Sequence, residues 1–150
     1  MRRIIIPKSG SAGFSLVEVL VALLVLSIGL LGLAALQVTG IKFNHQSYQR
    51  TQATMLTYEI ADRMRSNPQG LANYIIAYSA ATPSYSKDCA ALVCTAAELA
   101  AYDLNKWRNA LLAATGSQEG GIAQSGVLYT IEIRWKEQDL QLSQVLTVQV

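Results

Sequence analysis

The stretch Gly13-Phe14-Ser15-Leu16-Val17-Glu18 decides how this chain is read. A small residue closes a short basic leader, an aromatic residue opens an apolar run, and one carboxylate stands early in that run. No further charge follows until Lys42. Phe14 to Leu36 would span about 35 Å as a helix at ~1.5 Å per residue, enough to cross a hydrocarbon core of ~30 Å. An acid inside such a segment is costly and demands a partner, which makes Glu18 a candidate functional residue.

Working outward, Arg2, Arg3 and Lys8 precede the run, and Lys42 and Arg50 are the nearest basic residues beyond it. That bias puts the N-terminus in the cytoplasm and the bulk of the chain outside, in the periplasm. An ordinary secretory signal is the competing reading, and it needs its cleavage site after the apolar core. Ala34-Ala35-Leu36-Gln37 is a weak site of that kind. The run is too long for that class, and the better cleavage-like feature comes before it.

The same junction resembles the class III leader of type IV pilins and their pseudopilin relatives. The resemblance implies that a prepilin peptidase cuts between Gly13 and Phe14 and methylates the new N-terminus at Phe14. It also implies that Glu18 is the assembly carboxylate, pairing with the N-terminal amine of a subunit. Positions four apart are helix neighbours, so Phe14 and Glu18 of one chain could pair as well. The plainer account of Glu18 is an acid favoured by the dipole at a helix N-terminus.

Composition bounds the rest. The formal net charge of +2 comes from the leader, which holds three of the twelve basic residues and no acid. The remainder is close to neutral and carries no basic patch, which argues against nucleic acid as a partner. Cys89 and Cys94 fall in the part expected outside the cytoplasm, where an even count reads as one disulfide. On a continuous helix their spacing is too long for a bond, so the bonded pair must form a loop. A ring of that size stabilises by about 2 kcal/mol in the entropic account. Their spacing and the shortage of further ligands argue against a zinc site.

Three regions follow: a cleaved leader at 1–13, a transmembrane and assembly half-helix at 14–36, and a periplasmic globular domain at 37–150. Beyond Leu36, Ile41, His45, Tyr48, Gln52, Met55, Leu56, Ile60 and Met64 recur mostly at helical spacing. They extend one helix from Phe14 to about Ser66, with a one-sided stripe for packing. Asn67-Pro68 stops it. Gly29, Gly32 and Gly40 weaken that helix locally; they read either as close-packing positions in lipid or, by the resemblance, as a stretch that loosens on assembly. Residues 68–94 read as an irregular connection anchored by Tyr74, Tyr78 and Tyr85, with a short helix around Leu71 to Ser79. Thr95 to Glu98 fits a capping box. It opens a helix to about Ala114 with Leu99, Tyr102, Leu104, Trp107 and Leu111 inward, closed by Gly116. Val127 to Trp135 and Leu142 to Val150 alternate as strands around a polar turn at Glu137–Gln141, and Gly120–Ser125 adds a short edge strand. The fold class is α+β and pilin-like: a long N-terminal helix packed on a small antiparallel sheet, with a second helix.

Later motifs narrow the resemblance. Met55-Leu56, Ala61 to Pro68, Asp88-Cys89 through Cys94, Ala100 to Leu104, Trp107-Arg108, Tyr129 to Ile131 and Trp135 resemble the PilV family of minor type IV pilins. This implies a non-enzymatic subunit that helps initiate or prime pilus assembly at or near the tip. Its expected partners are the prepilin peptidase, other minor pilins, the major pilin and the inner membrane. The protein would be single-pass in that membrane before assembly and in the pilus at the cell surface afterwards. A minor pseudopilin of type II secretion and a membrane-anchored periplasmic binding domain are the alternatives, and a tip adhesin is compatible with the first reading. His45 has no nucleophile or orienting motif beside it, so no catalytic residue is assigned. No cofactor, metal or small-molecule substrate is expected, and Trp107 and Trp135 read as core.

Overall fold

A computed structural model describes residues 13–137 and 140–150. Residues 1–12 of the expected leader and Gln138-Asp139 of the expected turn lie outside them.

α1 is a helix at Leu16–Ser66. Its residues fall in two compact units that divide after Lys42. In the first unit every described residue is exposed. An 18-residue window there has a mean hydropathy of 2.8, and the helix is long and apolar enough to cross a membrane. The few polar side chains of this stretch satisfy themselves locally. Ser27 Oγ donates to Leu23 O at 2.7 Å and Thr39 Oγ1 to Ala35 O at 2.9 Å. A hydroxyl bonded to its own helix needs no water, which suits an apolar solvent. Gly29, Gly32 and Gly40 lie within the unbroken helix.

The second unit, Phe43–Val150, holds the core. The end of α1 leads into a 3₁₀ helix at Pro68–Tyr74, earlier in the chain than the short helix expected around Leu71 to Ser79. Proline is suited to the first turn. After Tyr74 the chain is extended, and Ile76 bridges Ile122. α2 spans Ala96–Thr115. β1 (Gly120–Ser125), β2 (Leu128–Glu137) and β3 (Leu140–Gln149) form one antiparallel sheet in the order β1-β2-β3. The strands run on to Glu137 and Leu140, which pair with each other. Glu137, Leu140 and Gln141 of the expected polar turn are therefore strand residues.

The core brings Leu56, Ile60 and Met64 of α1 together with Leu104, Trp107 and Leu111 of α2, and with Ile122, Ile131, Ile133 and Trp135 of the sheet. The α1 stripe is shifted from its expected course. Ile41, Tyr48 and Met55 are exposed, while Ala53, Thr57 and Ala61 are buried. Small residues let a large neighbour approach the helix backbone: Trp107 Nε1 donates to Leu56 O at 2.9 Å. Close approach recurs at Gly120, where an added methyl would stand 2.5 Å from Trp107 Cη2 and 2.6 Å from Leu111 Cδ1.

Candidate functional site

Two groups of residues stand out, one in each unit. In the first, Ser15 Oγ accepts a hydrogen bond from the Glu18 N–H at 3.2 Å. Ser15 thus caps α1, a role the sequence reading did not give it, and Glu18 occupies the third helical position. One turn separates Phe14 from Glu18, and both line an open cleft of ≈ 440 Å³ with Val19, Ala22, Leu23 and Leu26. Phe14 is 82% exposed. Among the described residues, the only ionisable side chain lining this cleft is the carboxylate of Glu18. Chemically, the cleft sets one anion in an apolar lining.

The second group is a polar network inside the domain. Tyr74 Oη donates to Asp103 Oδ2 at 2.6 Å, and Arg63 Nη1 reaches Asp103 Oδ1 at 2.7 Å. Asn67 Nδ2 donates to Ala96 O at 2.8 Å and to Tyr74 Oη at 3.3 Å. Burial, and then the Asp103 carboxylate, push the Tyr74 hydroxyl well above its ordinary range. Burial works to lower Arg63, but Asp103 and Glu59 outweigh it and raise it. The network ties the end of α1 to the start and middle of α2. Its members are paired, as buried polar groups need to be.

Arg108 is fully buried on α2 and bonds to main-chain carbonyls. Its Nη2 donates to Ala77 O and Gly120 O at 2.6 Å each, its Nε to Gly120 O at 3.2 Å, and its Nη1 to Ala80 O. Burial lowers its pKa. This side chain holds the 77–80 loop against β1.

The helix entrance follows the expected chemistry. Glu98 N–H donates to Thr95 Oγ1 at 3.3 Å, and the Glu98 carboxylate accepts from the Thr95 N–H at 2.8 Å. That backbone bond, with Lys87 and the Thr95 hydroxyl, lowers Glu98 to about 2. Just upstream, Cys89 and Cys94 are bonded, with their Cα atoms 5.7 Å apart. Gly116 closes α2 at φ 76°, its N–H donating to Leu112 O.

With that geometry in place, the comparisons with known proteins fall on both units. Residues 8–34 match the prokaryotic N-terminal methylation motif. Residues 35–105 match the family described as type IV pilin Tt1218. This chain is similar to type IV pilins. No curated protein and no solved structure matches it. The pilin match covers the α1 stripe, the Asn67-Pro68 stop, the disulfide loop and the first half of α2; β1, β2 and β3 lie beyond it.

Of the residues singled out from sequence, Phe14 and Glu18 share one cleft, and Cys89 and Cys94 are joined. His45 is exposed on α1. Leu99 and Tyr102, expected inward, are only half-buried, and Asp103 and Arg108 are buried instead. Both could have been found: Asp103 stands four before Trp107, and Arg108 four after Leu104, on the inward stripe.

Proposed function

We propose that this protein is a type IV pilin-like assembly subunit and, more finely, a minor pilin that helps prime pilus assembly at or near the tip. The observation that carries the reading is the methylation motif at 8–34, which contains the Gly13–Glu18 junction and is followed directly by the pilin match at 35–105. The leader motif implies processing by a prepilin peptidase and assembly with other pilins. The motif and the long apolar helix are consistent with inner-membrane anchoring. Type IV pilins are structural proteins, and the reading is correspondingly non-enzymatic.

In this mechanism, cleavage between Gly13 and Phe14 frees an amine beside the cleft that holds Glu18. The Phe14 amine of an incoming subunit would otherwise be a cation left without a counter-charge among apolar helices, a state that costs several kcal/mol. The Glu18 carboxylate of its neighbour supplies that counter-charge. The Ser15 cap takes up the N–H of Glu18 and leaves its carboxylate, among the described residues, to this pairing.

Intact mass of the membrane-extracted protein tests the reading. The mature chain begins at Phe14 and carries one added methyl group. Retention of residues 1–13 in functional protein, or cleavage after Ala35, rejects it. Glu18→Ala, at native level in a strain lacking the original copy, yields a cleaved, stable membrane protein with reduced piliation or reduced incorporation. Normal piliation and incorporation would remove Glu18 from the mechanism. Loss of protein secretion with intact piliation would move the assignment to the type II secretion pseudopilins.

A further inference from the structure

The two edges of the sheet differ. On the outer side of β1, Ile76 and Ile122 exchange N–H to O hydrogen bonds of 3.0 and 2.8 Å. The Gly120 N–H donates to Gln118 O at 2.8 Å, and Gly120 O accepts from Arg108. Along an antiparallel ladder the main-chain groups of successive residues turn to opposite sides. Gly120, Ile122 and Gln124 are therefore the outward positions of β1, and the first two are taken.

The same alternation carries across the sheet. Ile122 stands opposite Ile131 and turns away from it, so Ile131 turns to β3, where Leu146 stands opposite. The Arg134 N–H keeps this phase, reaching Glu119 O on the β1 side at 2.8 Å. Leu142, Gln144, Leu146 and Val148 thus bond to β2. Gln141, Ser143, Val145, Thr147 and Gln149 turn their N–H and C=O groups outward. Among the described residues these outward groups have no protein partner.

Exposed edges are ordinarily blunted by charge, proline, a bulge or shortness. β3 has none of these. It runs for 10 residues, Leu140–Gln149, without a charged residue or a proline, and its register with β2 steps evenly throughout. The main chain decides what such an edge can hold. Donors and acceptors alternate along it at strand spacing, and another extended backbone is what presents their complement. A lipid surface or a nucleic acid does not. Side chains add a pattern. Leu142, Leu146 and Val148 pack against the core yet stay half-buried, while Ser143 and Thr147 are exposed on the opposite face. A strand that is apolar on the first face and polar on the second continues both. We propose that the outer edge of β3 docks an extended strand of another protein, which joins the sheet beside β3. This edge lies wholly in the second unit, and its use does not depend on the processing or anchoring proposed above.

The test adds a synthetic peptide of about nine residues, alternating valine and threonine, to the full chain in detergent. Amide exchange is followed by NMR. Exchange is expected to slow at Ser143, Val145 and Thr147 and to stay unchanged at Gln124. Val145→Pro removes one outward N–H and no bond to β2, a change that edge strands accept. It should weaken the peptide about tenfold. The same peptide, fully N-methylated, has no donors and should change nothing; it makes the test on the unaltered protein. Unchanged exchange at the three amides overturns the proposal. So does equal slowing at Gln124, an equal effect of the methylated peptide, or indifference to Val145→Pro. Slow exchange at these amides before peptide is added overturns it as well. If that slowing rises with protein concentration, the occupant is a second copy; if not, the edge is already covered.

Discussion

The two stretches of α1 obey different rules. From Leu16 to Lys42 nothing is buried, and hydroxyls bond back to their own helix. From Phe43 to Ser66 the helix buries a narrow face of Ala53, Leu56, Thr57, Ile60, Ala61 and Met64, and its last turns join an ion-pair network with α2. In the first stretch the helix is apolar all round, and none of its described side chains is buried. In the second, size at each position matters, because Trp107 must reach the helix backbone. One continuous secondary structure thus meets two environments, and only the second is sensitive to side-chain shape.

The sharpest break in this contrast comes from truncating one aliphatic residue in each stretch. Ile60→Ala should destabilise the domain by about 2–5 kcal/mol, the usual cost of a buried cavity. Leu24→Ala should leave domain unfolding unchanged. Thermal unfolding of the full chain in detergent, followed by tryptophan fluorescence from Trp107 and Trp135, measures both. Equal shifts would erase the distinction between the stretches.

Next in size is Tyr74→Phe, which removes the hydroxyl donor to buried Asp103 and should cost about 1.5–3 kcal/mol. This interaction also has a pH signature. The folded state raises the Tyr74 pKa, so its contribution is complete below the ordinary tyrosine value of about 10 and is lost as pH rises beyond it. Denaturant melts between neutral and strongly alkaline pH should show extra alkaline sensitivity in the parent protein and less in the phenylalanine variant.

Smaller still is Thr95→Ala, which removes half of the capping box and should cost about 1 kcal/mol. Glu98 shifts the other way from Tyr74, being held near 2 in the folded protein. Its contribution is therefore present above the unfolded carboxylate value and is lost as pH falls from about 4.5 toward 2. The Thr95→Ala protein should lose less stability than its parent over that interval. Parallel acid titrations by circular dichroism decide it.

The legible parts of the chain were those in which one physical rule dominates. The apolar run, the Asn67-Pro68 stop, the capping box at Thr95, the glycine after α2 and the alternation in β2 each follow from local chemistry. The α1 stripe was misplaced because hydrophobicity was weighted over size. Ala53, Thr57 and Ala61 are buried for being small, while Met55 and Tyr48 are larger and stay outside. Asp103 and Arg108 are not apolar and so stand outside a hydrophobic stripe, although both fall on the inward side of α2. Their partners, Tyr74 and the carbonyls of residues 77–80, lie some 28 to 31 residues away in sequence, beyond any local pattern. In the first unit the Ser15 cap has a local signature, a serine three residues before an acid, set against the stronger signal of the apolar run.

The grip of Arg108 has one more consequence. A side chain that holds its neighbours by their carbonyl oxygens is indifferent to which amino acids those neighbours are. Ala77, Tyr78 and Ala80 can be exchanged for other residues without releasing the clamp, provided the backbone path is kept. The loop beside β1 is thereby given a fixed course and a free vocabulary. Substitutions in this loop would change the surface it presents while the scaffold beneath it stays the same.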